Sequence, residues 1–349
     1  MKQLYYILLL LPLLLCACDK DNEGGKGINV EPDNFIHFTS NIDAKGTTRA
    51  PIITNMRGKE FAVLGYEYPK TTLWNAYKAL AVPNVFDATP QNVSCSTAGV
   101  CTYSPIKEWG NDKAYTFFAY FPTDIAVKYN GGNASYKGVP YIEYDLPTST
   151  NPDDLLDVMY AQSNENMLGS NSSTVKLKFN HALFCLFVQA MNLNDEDVKI
   201  KNVNFTINSI QHSHLHLNLD GTPYMVDNAD QTYSGTPITT GRTYTILGNN
   251  EITIPPISST NPNATDVSNY KDASFTNDNN IMLIPQSEMS GKITLIKDGT
   301  SMEQKFTSDI DFKPGRKYAV SISFAGDAMS IKIIDSDEWT DSTSDIEFE

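Results

Sequence analysis

Short segments in which apolar and polar residues alternate constrain the fold of this chain more than any other feature. In residues 175–179, Val, Leu and Phe alternate with lysines, and residues 203–207 and 318–324 repeat the same period of two. Clusters of Asn, Gly, Asp, Pro and Ser separate these segments, and helical spacing is nearly absent. Strands of this kind bury one face, which is typical of antiparallel sheets packed as sandwiches. The sequence therefore predicts an all-β protein.

A polar stretch at residues 163–173 divides the strand-rich sequence into two blocks. The chain has 349 residues, which is long enough for two domains. The predicted parts are a signal peptide at 1–17, a tether with a candidate propeptide strand at 18–49, an N-terminal β-sandwich at 50–170, and a C-terminal β-sandwich with a candidate donor strand at 171–349.

The first residues have the pattern of an export signal. Lys2 supplies positive charge, residues 4–15 are apolar, and this run is too short to cross a bilayer. It ends in Leu-Cys-Ala-Cys, which resembles the lipobox of bacterial lipoproteins, where the second cysteine, here Cys18, is acylated and becomes the mature N-terminus. We therefore expect an exported protein held at a membrane by lipid on Cys18. Ordinary secretion with cleavage nearby is the alternative.

Charge and motifs exclude several classes of function. A net charge of −15 argues against nucleic acid and anionic membrane surfaces as partners. The sequence contains no nucleophile elbow, phosphate-binding loop or HExxH motif, and nothing in it pairs two carboxylates for glycoside chemistry. We predict a protein that is not an enzyme and that needs no cofactor.

Three cysteines lie outside the leader. Cys95 and Cys101 flank a glycine-containing turn between strand-like segments. In an oxidising compartment a disulfide between them would stabilise the hairpin, and two free thiols are the alternative. Cys185 lies in an apolar run and is expected to be buried.

The pattern closest to a metal site is the row His212, His214 and His216. On a strand these side chains share one face, with the outer pair about 13 Å apart, so that two of them but not all three suit one zinc ion. Leucines alternate with them at 215, 217 and 219. We predict a buried leucine row with the histidines in water, and no metal site. His181 is expected to be a hydrogen-bonded structural residue.

A series of degenerate motifs, in their order and spacing, resembles the fimbrillin family, the type V pilins of Gram-negative gut and oral anaerobes and their tip and anchor relatives. The likeness covers nearly the whole exported chain. The motifs are Phe35-Ile36-His37-Phe38, Thr48-Arg49-Ala50, residues 60–66, Tyr103-Ser104-Pro105 before Trp109, residues 115–122, residues 157–161, residues 179–183, Phe312-Lys313-Pro314-Gly315 and Asp337-Glu338-Trp339.

The resemblance implies two transthyretin-like β-sandwich domains and a structural role in fimbriae that supports adhesion. In this family an exported lipoprotein precursor is cut after an arginine by an Arg-specific protease. The leading strand is lost, and the C-terminal strand of a neighbouring subunit fills the groove that remains. The implied partners are other fimbrial subunits, the protease and a lipid anchor. The implied locations are the outer membrane for the precursor, and the fimbrium at the cell surface.

The sequence offers residues for each of these steps. Residues 35–40 are a plausible leading strand. Arg49 is the best cut site, which would make Ala50 the new N-terminus, and Arg57 is the fallback.

Ile346 and Phe348 lie on one face of the last segment, as a donor strand needs, although an ordinary edge strand has the same pattern. The alternative function is that of a fimbrial anchor or a permanently lipidated protein that binds glycans or host ligands. For binding, Trp74 with Tyr77 is the one obvious exposed platform.

Overall fold

The computed structural model describes residues 34–42, 53, 55–78, 81–129, 140–171, 173–217, 239–257, 271–272 and 280–338. These residues form 21 strands, one short helix, α1 (Trp74–Tyr77), and two 3-10 turns at Pro152–Asp154 and Gly169–Asn171. The predicted all-β class is confirmed. Within the described ranges no helix is long and apolar enough to span a membrane.

The strands fall on both sides of residue 170. The earlier ones are β1 (Phe38–Ile42), β2 (Glu60–Pro69), β3 (Gln91–Cys95), β4 (Cys101–Thr102), β5 (Lys113–Phe121), β6 (Val127–Lys128), β7 (Tyr141–Asp145), β8 (Met159–Gln162) and β9 (Met167–Leu168). The later ones are β10 (Val175–His181), β11 (Phe184–Asn192), β12 (Val198–Ile210), β13 (His212–His216), β14 (Thr239–Leu247), β15 (Ile252–Ile254), β16 (Lys271–Asp272), β17 (Ile281–Leu283), β18 (Met289–Lys297), β19 (Thr300–Ser308), β20 (Arg316–Ala325) and β21 (Ala328–Glu338).

The first sheet has the strand order β1-β10-β8-β5-β2-β3-β4, with β9 added to β5. Its central strands are covered on both faces, which is why their sequences are almost continuously apolar. In β5, Tyr115 and Phe117 belong to a smaller core, and Phe118 and Tyr120 belong to a larger one. One sheet therefore separates two hydrophobic cores.

Two five-stranded sheets and one three-stranded sheet complete the fold. Their orders are β16-β11-β20-β21 with β17 on β11, β14-β12-β18-β19 with β15 on β12, and β13-β7-β6. β11 and β20 run parallel, whereas β12 pairs antiparallel with β14 and β18. Apolar residues of these sheets, such as Phe205 and Val320, join the larger core.

Several strands pair across the predicted domain boundary between residues 170 and 171. β10 follows the boundary but pairs with β8 and β1 of the first sheet. β7 precedes it but pairs with β13. Leu64 and Val320 belong to the same core. The division into two domains and their transthyretin-like topology stay predictions.

The expectation that Cys185 is buried is confirmed, because the residue lies in β11 with no exposed surface. Its sulfur lies 3.3 Å from the Asn280 side-chain oxygen. Loss of solvation raises the pKa of the Cys185 thiol to about 12, and the thiol is therefore protonated at neutral pH.

Candidate functional site: the groove of the N-terminal strand

The first described residues run antiparallel to the segment that precedes β5. The amide of Ile36 donates to the carbonyl oxygen of Lys107 at 2.8 Å, and the amide of Trp109 donates to that of Asn34 at 2.9 Å. The Tyr103 hydroxyl donates to the carbonyl oxygen of Ile36 at 2.9 Å. These bonds pair the backbone of residues 34–36 with that of residues 107–109.

The residues that follow, β1, pair with the edge of β10. β1 pairs in parallel with β10, in a register that places Phe38 opposite Val175 and Ile42 opposite Phe179. The amide of Val175 donates to the carbonyl oxygen of His37 at 2.8 Å. Since β1 ends the strand order of the sheet, its removal would leave the backbone groups on one side of β10 unpaired.

The side chains of Ile36 and Phe38 fill part of the smaller core. Ile36 has no exposed surface and Phe38 is 3% exposed. The Phe38 ring centroid lies 5.5 Å from those of Phe117 and Tyr103, and 6.2 Å from that of Phe86. We call the space that holds residues 34–42 the N-terminal groove. It is lined by β10, by residues 107–109 and by these three rings.

A disulfide borders the N-terminal groove. Cys95 in β3 and Cys101 in β4 are bonded, with Cα atoms 4.0 Å apart. The Ser40 hydroxyl of β1 lies 3.5 Å from the Cys95 sulfur and 3.6 Å from that of Cys101. The disulfide therefore fixes a hairpin against which β1 packs.

Replacing both Cys95 and Cys101 with serine is expected to lower the free energy of unfolding by about 2 kcal/mol, because the bond restricts the unfolded chain over a short loop. Urea unfolding monitored by circular dichroism would measure this change. Dithiothreitol serves as the control, since it should destabilise the parent chain and leave the double variant unaffected.

A buried carboxylate lies where β8 and β10 meet. Asp157 Oδ1 is 2.9 Å from His181 Nδ1, and Asp157 Oδ2 accepts a hydrogen bond from the Ile53 amide at 2.8 Å. The Asp157 side chain has no exposed surface, and that of His181 is 2% exposed. His181 is thus a hydrogen-bonded structural residue, as predicted. The contact to Ile53 fixes the chain shortly after the predicted cut site.

Most of the predicted processing residues lie outside the described residues. They are Cys18, Arg49, Ala50, Ile346 and Phe348. The candidate propeptide strand is described from residue 34. Buried and exposed positions alternate along it, with Ile36 and Phe38 buried and His37 and Thr39 exposed.

The prediction of an exposed aromatic platform at Trp74 and Tyr77 is wrong. Trp74 is buried in the larger core, where its ring centroid lies 5.1 Å from that of Tyr66 and 5.6 Å from that of Phe118. Tyr77 stacks on Tyr68 at 4.9 Å. The aromatic residues of α1 therefore pack against β2 and β5.

The prediction that the histidine row lies in water is wrong for His214. Leu215 and Leu217 are buried as predicted, but His214 is only 4% exposed and packs on the Tyr141 ring at 4.6 Å. Its neighbour His212 is half-buried and contacts Asp145 of β7. These contacts come from β7, which pairs with β13: Tyr141 covers the His214 ring, and Asp145 contacts His212. The sequence around the histidines does not reveal this pairing.

Comparison with known proteins places this architecture in a family. A model of the fimbrillin-like family matches residues 48–340 of the chain. The chain belongs to the fimbrillin-like family. The resemblance found in the sequence is thereby confirmed, and family membership supports a fimbrial role.

Two relatives illustrate the range of similarity among fimbrillin-like proteins. The fimbrium subunit Fim1C of Phocaeicola vulgatus is 31% identical over 139 residues, which cover 35% of this chain and 34% of that protein. The match thus spans about a third of that relative's length. A fimbrial protein from Bacteroides vulgatus of known crystal structure has a TM-score of 0.59 at 16% identity, over 87% of this chain and 99% of that chain. At this identity the likeness shows a shared fold.

Proposed function

We propose that this fimbrillin-like chain is a structural subunit of cell-surface fimbriae that supports adhesion. In this proposal it is exported as a precursor acylated at Cys18, cut after Arg49 and assembled by strand exchange. The observation that carries the proposal is the position of residues 34–42. They pair with two backbone edges and bury Ile36 and Phe38, yet they precede the predicted cut site in the chain.

The physical reason for assembly follows from the N-terminal groove. If residues up to 49 are cut away and leave, the β10 edge loses its partner and the rings around Phe38 lose their cover. An incoming strand with alternating apolar side chains would satisfy both needs, by strand addition. Ile346 and Phe348 of a second copy have the alternation that this strand requires.

The structure favours Arg49 over Arg57 as the cut site. A cut after Arg57 would also release Ile53, whose amide donates to the buried Asp157 carboxylate, and Met56, which is buried in the smaller core. A cut after Arg49 would leave both of these contacts in place. The new N-terminus at Ala50 would then lie three residues before the point at which Asp157 holds the chain.

Treatment of the exported chain with an Arg-specific protease tests the proposal. Intact mass should show a new N-terminus at Ala50, and a denaturing gel should show a ladder of stable oligomers. Arg49→Lys should resist this cut, whereas Arg57→Lys, the matched control, should be processed like the parent chain. A cut at Arg57 in place of Arg49 would move the processing site to the fallback arginine. Resistance of the parent chain at both Arg49 and Arg57 would refute arginine processing and favour an anchor or a permanently lipidated binding protein.

A second pair of variants separates processing from assembly. Replacing Ile346 and Phe348 with aspartate should leave the cut at Arg49 intact and abolish the ladder, because charged side chains would not enter an apolar groove. Replacing Asp345 and Glu347, which alternate with them in the sequence, with asparagine and glutamine should preserve the ladder. A ladder that survives the aspartate variant would exclude this segment as the donor strand.

A further inference from the structure

β7 and β13 bring metal-binding side chains to one face of the sheet β13-β7-β6. In their antiparallel register His214 lies opposite Glu143, and His212 lies opposite Asp145. Residues two apart on a strand share a face, so these four side chains lie on the same side of the sheet. One ligand atom from each of Glu143, His212 and His214 lies within 4.8 Å of the other two.

We propose that Glu143, His212 and His214 bind a zinc(II) ion. Two imidazoles and one carboxylate are a donor set that zinc accepts, and imidazole favours zinc, copper and nickel over calcium and magnesium. Zinc bonds of about 2.0–2.1 Å place the ligand atoms of a tetrahedral site roughly 3.4 Å apart. The three ligand atoms here lie within 4.8 Å of one another, so side-chain rotations that move them by about 1 Å would bring them to this spacing. Water would take the fourth position.

Contacts around the two histidines orient them for this role. Asp145 Oδ1 lies 2.5 Å from His212 Nδ1, so Nε2 is the nitrogen that would bind the ion. A carboxylate on the second ring nitrogen is the usual outer-shell partner of a zinc-binding histidine, because it fixes the ring and raises its basicity. The centroid of the His214 ring lies 4.6 Å from that of Tyr141 and 5.6 Å from that of His212.

Among the described residues, Lys128 competes with zinc for the carboxylate of Glu143. Lys128 Nζ in β6 lies 3.5 Å from Glu143 Oε2, and both side chains are substantially exposed, 52% for Lys128 and 40% for Glu143. An exposed ion pair of this kind contributes little free energy, and the second carboxylate oxygen would bind zinc while the first faces the lysine. Lys128 therefore does not block the site.

The zinc ion would join two strands that are far apart in the chain. Glu143 precedes the predicted domain boundary, and both histidines follow it. Neither the cut at Arg49 nor the donor strand enters this argument, so the zinc site stands independently of strand exchange. A zinc ion bound here would therefore link residues on either side of the boundary.

Isothermal titration of zinc chloride into the full chain tests the site. The background chain carries Cys16→Ser and Cys18→Ser, so that thiols of the leader do not bind the metal.

The background chain should bind one zinc ion per chain, and Glu143→Gln and His214→Ala should each raise the dissociation constant at least tenfold. Asp145→Asn should raise it by about 10-fold to 100-fold, as loss of an outer-shell partner does. The exposed His37, which lies in the N-terminal groove, offers a matched control, and His37→Ala should leave the constant unchanged.

His214 is buried, so the Glu143→Gln variant guards against a loss of fold. The Glu143 side chain lies at the surface, and its replacement preserves shape. Its circular dichroism spectrum should match that of the background chain while its zinc affinity falls. The proposal would be overturned by absence of zinc binding in the background chain, by equal affinities of the background chain and Glu143→Gln, or by an equal weakening in His37→Ala.

Discussion

Replacing Phe38 with alanine is expected to lower the free energy of unfolding of the uncut chain by about 3–5 kcal/mol, the usual cost of truncating a buried phenylalanine. The side chain is 3% exposed, and its ring packs edge-on against Phe117 and Tyr103. The loss combines the transfer free energy of the ring with the cavity that it leaves. Urea unfolding of the chain carrying Arg49→Lys would measure it, since this second change keeps the strand attached.

The matched control is the next residue of the same strand. Thr39 points outward and is exposed, so Thr39→Ala should cost less than about 1 kcal/mol. A small effect of Phe38→Ala in the uncut chain would contradict the packing of β1 in the N-terminal groove.

Proteolysis adds a second comparison to the Phe38 variant. If the cut strand leaves the groove, Phe38 leaves with it, and the assembled products of Phe38→Ala and of the parent chain should unfold at the same urea concentration. If Phe38→Ala still weakens the cut and assembled form, the strand has stayed in place, and strand exchange at this groove is refuted.

The alternation of polar and apolar residues was sufficient to predict the all-β class and several of the strands, but not the almost continuously apolar central strands β2 and β5. Residues 175–179 form the start of β10 with the predicted burial, and 318–324 lie within β20. The partners of each strand were not predictable, because hydrogen bonding between strands is non-local and leaves no mark in a local pattern. β10 thus joins the first sheet although a polar stretch precedes it.

The errors at Trp74 and His214 have the same origin. Each residue lies in a short segment whose burial depends on a distant strand: Trp74 is covered by β2 and β5, and His214 by β7. Glu143 lies about 70 residues from the two histidines, and only the β7–β13 register brings it to them. No signal in the sequence near residue 212 indicates that carboxylate.

Replacing Asp157 with alanine is expected to lower the free energy of unfolding by about 3–5 kcal/mol, because removing one partner leaves the rest of a buried polar network uncompensated. Two groups lose their acceptor, the His181 ring at 2.9 Å and the Ile53 amide at 2.8 Å. Asp157 thereby connects β10 of the first sheet, through His181, to the segment that follows the predicted cut site, through Ile53. Urea unfolding again measures the change.

Asp87 offers a matched control for Asp157 with the same chemistry at the surface. Its carboxylate lies 2.6 Å from Lys107 Nζ, but its side chain is 68% exposed, so Asp87→Ala should cost less than about 1 kcal/mol. Asp157→Asn adds a graded test, because the amide oxygen can still accept one of the two hydrogen bonds. The free energy of unfolding that this variant loses should lie between the losses of Asp87→Ala and Asp157→Ala. Equal losses for Asp87→Ala and Asp157→Ala would mean that burial does not set the strength of the Asp157 network. The contact to Ile53 would then no longer favour Arg49 over Arg57 as the cut site.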